Sequence, residues 1–391
     1  MTRVKIVIGS NFGDEGKGLM SAYFAGQMMQ EDKKCLVVLS NGGAQRGHTV
    51  VQKGIRHVFR HFGSGTLSGA DTWCPAPFIL NPMIFMKEYR ELMDQLGKLP
   101  AVRVFVHPDC RVTTPFEMLT NLILEESRGA ARHGSVGVGI WETVIGGGIS
   151  FGELCSLSEE ERAAYLTENR KEHMKQRLKE CGLPEIPEEW RQIIEDPGLT
   201  GGYLEDLSQM ESLVRQTDSS ILKEYPGIIF ENGQGLLLDR NMIRKGYGHH
   251  TTPSNTGIKN PAEILKGADL RDADIEAVYV TRSYMTRHGA GRFDTECAKE
   301  EINPKIVDLT NMPNPSQGTI RYGKLCMPSL IKRVKRDFGL LEKEAGLEGT
   351  FSIAMTHLNE YTHPAWKNKY IKYKSFAEEG ENMCYTKGAP G

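Results

Sequence analysis

The 391-residue chain lacks a long hydrophobic run, an excess of either charge and any paired-cysteine motif. No apolar stretch approaches the ~20 residues of a membrane span, and the chain opens on a strand-like run, not a signal sequence. A cytoplasmic protein with no membrane partner is therefore expected. Lys and Arg total 48 against 50 Asp and Glu, a formal charge of −2, so no global field draws it to nucleic acid or an anionic surface. Its partners have to be read from individual sites. Eight cysteines are present but scattered, without C-x-x-C or finger spacing, which reads as reduced thiols and excludes a disulfide scaffold. Neither an internal repeat nor a low-complexity linker divides the sequence. Because doubly wound α/β enzymes of this length often fold as one unit, a single domain over 1–391 is expected.

What the chain does have is a rhythm of apolar, β-branched runs: Val4–Ile8, Leu36–Leu39, Val102–Val106, Ile228–Phe230, Ala277–Val280 and Phe351–Met355. Gly, His, Asn or Thr follows each closely, and helix-like stretches such as Pro82–Gln95 and Thr113–Glu126 lie between them. The alternation predicts an α/β fold with a large, mostly parallel central sheet and helices on both faces. The segment Ser156–Glu195 is dense in Glu, Lys and Arg and reads as surface helices on a charged insertion spanning about 156–220.

The first run empties into Gly9-Ser-Asn-Phe-Gly-Asp-Glu-Gly-Lys-Gly18. Its glycines let backbone N–H groups crowd an anion, and the helix expected over Leu19–Met28 aims its positive end at the same charge. The loop carries a carboxylate at Asp14, followed by Glu15, and an ammonium at Lys17. It is not a Walker A loop, since Gly18 and Leu19 follow the lysine where Ser or Thr is required, and this argues against a P-loop kinase. The second run empties into Asn41-Gly-Gly-Ala-Gln-Arg-Gly-His-Thr49, which adds His48. Strand, glycine loop and polar residue, repeated, is how an open α/β sheet builds a site at its carboxyl edge. A carboxylate and an imidazole delivered there can act as base and acid.

These loops resemble the opening signature of the adenylosuccinate synthetases, G-D-E-G-K-G followed by G-G-x-N-A-G-H-T. The first matches Gly13–Gly18 unchanged; the second has Gln45 and Arg46 where Asn and Ala are usual. Phe230-Glu-Asn-Gly-Gln-Gly235 with Leu237-Leu-Asp239 is similar to F-E-G-A-Q-G-x-x-L-D. Thr252-Pro-Ser-Asn-Thr256 is similar to T-S-S-N-T, and Thr286-Arg-His-Gly-Ala-Gly-Arg-Phe-Asp-Thr-Glu296 to T-R-V-G-x-G-P-F-P-T-E. The resemblance runs in family order across most of the chain. It implies a fold related to the P-loop NTPases, a homodimer, and a ligase that joins L-aspartate to C6 of a purine nucleoside monophosphate, IMP, through a 6-phosphoryl intermediate made from GTP or ATP.

By the same resemblance Asp14 is the base at N1 and a Mg²⁺ ligand, His48 the acid or electrostatic partner at O6, and Lys17 the grip on the transferring phosphoryl group. Gly13, Glu15, Gly16 and Gly18 belong to the nucleotide cradle, and the carbonyl of Gly47 adds a metal ligand. Gln45, Ser135, Gln234, Thr252, His288, Gly291, Ser316 and Arg321 fall at substrate positions, Arg321 where an arginine grips the amino acid carboxylate.

The departures are informative. The family's G-T-T-G-R-G loop is Gly134-Ser-Val-Gly-Val-Gly139, and the arginine pair that follows it is Gly146-Gly-Gly148. A lost guanidinium clamp must be replaced, for which Arg46, Arg132 and Arg292 are candidates. Thr356-His357-Leu358-Asn359 stands where GTP users carry T-K-L-D. An amide cannot accept both guanine donors, but it can donate to and accept from adenine, which brings ATP level with GTP. Such departures resemble the viral 2-aminoadenylosuccinate synthetase branch, which uses dGMP, although much of that branch lacks the aspartate retained here as Asp14. A nucleotide-binding homologue without activity is the remaining alternative; the lost clamp supports it, and the joint presence of Asp14, Lys17 and His48 opposes it.

Overall fold

The computed structural model describes residues 1–98, 102–248, 250–308, 318–377 and 383–385. Among the described residues the main sheet holds ten strands: β1 (Arg3–Gly9), β2 (Cys35–Val38), β3 (Asp71–Cys74), β4 (Val104–Val106), β5 (Val214–Gln216), β6 (Gly227–Glu231), β7 (Asp274–Arg282), β8 (Thr350–Thr356), β9 (Ile371–Ser375) and β10 (Met383–Tyr385). Across the sheet they run β5-β4-β3-β2-β6-β1-β7-β8-β9-β10. All neighbours are parallel except the last pair, β9 and β10. The mostly parallel sheet expected from the apolar runs is thus present, and all six predicted runs lie in it.

Strands this apolar are buried on both faces. On β1, Val4, Ile6 and Ile8 pack toward one face with Ile228, Phe230, Ala277 and Tyr279. That face is covered by α6 (Lys259–Gly267) and α7 (Met327–Ala345). Val7 points the other way, with Val37, Ile229 and Val278, under α1 (Lys17–Glu31), α2 (Pro82–Leu96) and α3 (Pro115–Ser127). The helix starts are chemically marked: Asn81 caps α2 through the Ile84 N–H at 3.1 Å, and Thr114 with Glu117 forms a capping box on α3.

Residues 156–220 are largely helical, including α4 (Lys171–Glu180) and α5 (Pro197–Leu213), and they end by supplying β5. They are more than solvated helices, however. Leu166, Met174, Leu178, Tyr203, Leu207 and Met210 are buried in the core on the α1 side of the sheet. Arg170 makes a buried ion pair with Glu117 of α3. The charged residues coat the outer face of helices whose inner face extends the core.

From β1 the chain builds outward through β2 to β5, returns to insert β6 beside β1, and then builds the other half from β7. The order therefore reverses beside β1, and the loops after β1, β2, β6, β7 and β8 share one carboxyl edge. In open α/β sheets that edge is the binding crevice.

Candidate active site

The loop after β1 turns sharply: Gly13 and Gly16 have φ of 101° and 91°, and Asp14, not a glycine, has 55°. Gly16 occupies the N-cap of α1 without a side-chain cap bond, leaving the first amides of the helix to face the loop. A Cβ on Gly9 would come within 2.4 Å of the Gln234 carbonyl oxygen, and one on Gly235 within 2.4 Å of the Asn11 carbonyl oxygen, so the loops after β1 and β6 touch backbone to backbone. Glu15 folds inward. Its carboxylate accepts the Asn11 N–H at 2.8 Å and the Asn11 Nδ2 at 2.6 Å, and burial, which Lys17 opposes, pushes its pKa up to about 7. Lys17 is also buried, which lowers its pKa against the opposing pull of Glu15 and Asp14.

The loop after β2 leads into a short hairpin, His48–Gln52 against Ile55–Phe59. A Cβ on Gly18 would meet the His48 Cβ at 3.0 Å, so the hairpin seats the imidazole directly on the cradle. Behind it, the last residue of β6, Glu231, accepts hydrogen bonds from His48 Nδ1, from Arg46 Nη2 at 2.8 Å, and from the Ser64 N–H and hydroxyl at 3.0 and 2.8 Å. Burial alone would raise the Glu231 pKa, but His48, Arg46 and these donors hold it down at about 2. Burial and the Arg46 charge lower His48 to about 4, against the pull of Glu231. At neutral pH the ring is uncharged, donates a hydrogen bond from Nδ1–H to Glu231 and keeps a lone pair on Nε2.

The loops after β7 and β8 complete the wall. Asp14, Lys17, Gly18, Gly47 and His48 line one cavity together with Arg282, Thr356, His357, Asn359 and Glu360. A roomier hollow of about 640 Å³ lies between α1 and the hairpin, but among the described residues no carboxylate or histidine lines it, and the titratable groups gather in the smaller one. On the other side of Asp14, His288 Nε2 is 3.5 Å from its carboxylate. Both side-chain amide atoms of Gln45, the Gln234 Oε1 and the Thr251 hydroxyl are buried without a hydrogen-bond partner among the described residues. Buried polar atoms are normally satisfied, and such a group of exceptions suits a polar ligand.

The family model described as adenylosuccinate synthetase matches residues 6–312 of the chain. The chain belongs to the adenylosuccinate synthetase family. Among curated adenylosuccinate synthetases, that of Acetivibrio thermocellus is 28% identical over 97% of this chain and 83% of its own length. That of Teredinibacter turnerae is 30% identical over 74% of this chain and 64% of its own. Several relatives are therefore matched over somewhat less than two thirds of their length. The fold likeness is broader: the fully ligated Plasmodium falciparum adenylosuccinate synthetase superposes with a TM-score of 0.69 at 16% identity, covering 98% of this chain and all of its own. The cyanophage S-2L succinoaminodeoxyadenylate synthetase, bound to dGMP and dATP, gives 0.63 at 14% identity, covering 99% and 96%.

Adenylosuccinate synthetases are C–N ligases, and the residues expected to serve that chemistry fall into three groups here. Asp14, Lys17, Gly16, Gly18, Gly47, His48, His357 and Asn359 meet in the cavity, joined by Glu15. Gly13 packs on Gln234, whose Cα would lie 3.5 Å from a Cβ there, and Gln45, Gln234 and His288 lie around the loops bordering Asp14. The rest are engaged elsewhere or undescribed. Ser135 donates to Asn121 at 2.7 Å, while its own amide and that of Gly134 are held by Glu125. Thr252 is buried, its amide bonded to the Leu238 carbonyl at 2.8 Å. Arg321 donates to the carbonyls of Gly289 and Gly291 at 3.0 Å and forks onto Glu296 at 2.7 and 2.5 Å. Ser316 lies outside the described residues.

The three candidates for the missing phosphate clamp lie in different settings. Arg46 is buried beside His48 and donates Nη2 to Glu231 at 2.8 Å, while its Nε and Nη1 have no hydrogen-bond partner among the described residues. Arg292 is exposed and pairs with Asp294, and Arg132 is exposed on the loop before Ser135. Two polar residues lining the cavity, Arg282 and Glu360, and Glu231 behind His48 went unread in the sequence. Arg282 and Glu360 follow strand runs without a local motif, and Glu231 was visible only as one letter of a loop match.

Proposed function

We propose that the protein joins L-aspartate to C6 of a 6-oxopurine nucleoside monophosphate, with IMP as substrate and ATP or GTP as phosphoryl donor. One arrangement carries this reading: a carboxylate, an ammonium and an imidazole from two strand ends line one cavity with an uncapped helix N-terminus. Asp14 takes the N1 proton, so that O6 gains the charge to attack the γ-phosphorus and the donor leaves as a nucleoside diphosphate. Lys17 and the amides of Gly16–Gly18 stabilise the phosphoryl group in flight. The aspartate amine then attacks C6, the C6–O6 bond breaks, O6 leaves with inorganic phosphate, and the amine gives up one proton, so that the product carries N6–H and an unprotonated N1. His48 donates to oxygen only as an imidazolium. The phosphate charge favours that form, and Glu231 behind the ring is placed to support it.

Mg²⁺ suits the oxygen donors on hand, the Asp14 carboxylate and the Gly47 carbonyl, a sparse set that leaves room for water and phosphate ligands. When bound it neutralises phosphate charge during transfer. A homodimer goes with the same reading. Asn359 in the cavity wall favours an adenine donor, and the cyanophage neighbour was seen with dGMP and dATP; dGMP with ATP is therefore the second reading.

Phosphate release with aspartate and each of IMP, dIMP, GMP and dGMP, under ATP or GTP, tests both. Aspartate-dependent release with IMP supports the first, release with dGMP alone supports the second, and tight nucleotide binding without turnover in any combination defeats the ligase.

A further inference from the structure

Asp14 holds a left-handed backbone conformation (φ 55°) in which a non-glycine residue is uncommon, and such a conformation persists only where its surroundings enforce it. The enforcing contacts come from two neighbouring strand ends. Arg282, the last residue of β7, donates through Nε to the Asp14 carbonyl at 2.5 Å. Thr356, the last residue of β8, donates to the next carbonyl, Glu15, at 2.9 Å. The Arg282 guanidinium is itself fixed: it is 3% exposed, and Nη1 donates to the Tyr284 hydroxyl at 3.0 Å and to Asp308 at 2.9 Å. Tyr284 hydrogen-bonds the Glu360 carboxylate in turn, beside Asn359 in the same cavity.

We infer that Arg282 is the positioning residue for Asp14: its guanidinium locks the Asp14 peptide and so aims the carboxylate, while the Tyr284–Glu360 arm ties that aim to the loop that faces the donor nucleotide. Because Asp308 already balances its charge, Arg282 works through geometry and not as a free cation for phosphate. Lysine has one compact donor head and cannot hold the carbonyl and the Tyr284–Asp308 side together. The inference rests on the ligase reading of the cavity and adds a residue to it.

Two measurements test it. In steady-state kinetics, Arg282→Lys should lower kcat at least 30-fold with KM for aspartate within threefold, and added guanidinium should restore Arg282→Ala at least fivefold. A structural role alone would lower the folded fraction without rescue. In calorimetric titration with IMP, and with dGMP in parallel, Arg282→Lys should weaken binding at least fivefold when Asp14 is present and less than twofold in the Asp14→Ala background. Equal losses in the two backgrounds, or unchanged kcat in a folded Arg282→Lys protein, overturn the inference while the ligase reading stands. Failure of the unmutated protein to bind or turn over either nucleotide overturns the reading itself, and the inference with it.

Discussion

Asp14 sits on a loop and His48 at the head of a hairpin, and neither side chain belongs to the apolar core. Asp14→Ala and His48→Ala are each expected to lower kcat by more than tenfold, at least ~1.4 kcal/mol of transition-state stabilisation. A variant that keeps more than about a tenth of the original kcat takes that residue out of the mechanism. Asn359→Asp exchanges a donor-acceptor amide for two acceptors, which suits the N1–H and N2–H pair of guanine. The ratio of kcat/KM for ATP to that for GTP should fall at least tenfold, and an unchanged ratio would separate Asn359 from base recognition. At this scale the sequence disclosed what is local. Gly13–Gly18 and His48 announce themselves because cradle and imidazole lie within single loops. Glu231 does not, because its meaning is a contact with Arg46 and His48 more than 180 positions away. The same holds for Arg46: its place in a glycine loop suggests a ligand, but its ion pair with Glu231 can be seen only once the strands are assembled.

The elements were legible where burial on both faces forces an unbroken apolar run. Four strands lack that signature. β3 reads Asp-Thr-Trp-Cys, and β5 begins at a helix end with Val214-Arg-Gln. β9, toward the edge of the sheet, alternates Ile371-Lys-Tyr-Lys-Ser, its Lys372 reaching Glu276 at 2.8 Å. β10 pairs with it antiparallel at the very edge. Polar residues are tolerated where a partner receives them: Asp71 of β3 accepts from Arg103 Nη2 at 2.8 Å and from the Tyr225 hydroxyl, and Lys372 of β9 is received by the buried Glu276. The elements also predict which glycines matter. At Gly9 an added Cβ would meet the Gln234 carbonyl oxygen at 2.4 Å and the Glu15 carboxylate at 2.7 Å, so two catalytic loops would have to part. Gly9→Ala should cost roughly 1–3 kcal/mol in urea unfolding and most of the turnover. In the interior of α5, Gly201 has nothing within 4 Å of a new Cβ, and Gly201→Ala should instead stabilise by about 0.5–1 kcal/mol. An equal response at the two sites would mean that the loop contacts are not rigid.

For the whole molecule, the strand order collects five loops at one carboxyl edge, and the same packing buries titratable groups whose shifts set the response of the fold to pH. Two carboxylates are held low. Glu231 lies at about 2 through His48, Arg46 and the Ser64 donors despite burial, and Glu276 at about 2 through Lys5 and Lys372 despite burial. Folded values below unfolded ones mean stability that is complete above pH ~4.5 and lost as pH falls toward 2. His48 at about 4 and His61 at about 3, both lowered chiefly by burial, act in the same direction from a higher starting point. The unfolded chain takes up their protons near pH 6.5 while the folded chain does not, so stability falls as pH drops below that value. Glu15 at about 7 and Asp337 at about 6, raised mainly by burial, oppose this. Their contribution is present below pH ~4 and is lost as pH rises through 6 to 7. Between pH 4.5 and 6 the two histidines and the two raised acids nearly cancel, and His357, which burial lowers well below its ordinary range, tips the balance toward greater stability at higher pH. Thermal unfolding scanned from pH 3 to 8 should therefore show a shallow rise to a maximum Tm near pH 6.5 and a steep loss below pH 4.5. Glu276→Gln should soften the acid limb, because a neutral amide has no charge to lose there. A maximum below pH 5, or an acid limb unchanged in that variant, would mean that these buried pairs do not govern the stability of the fold.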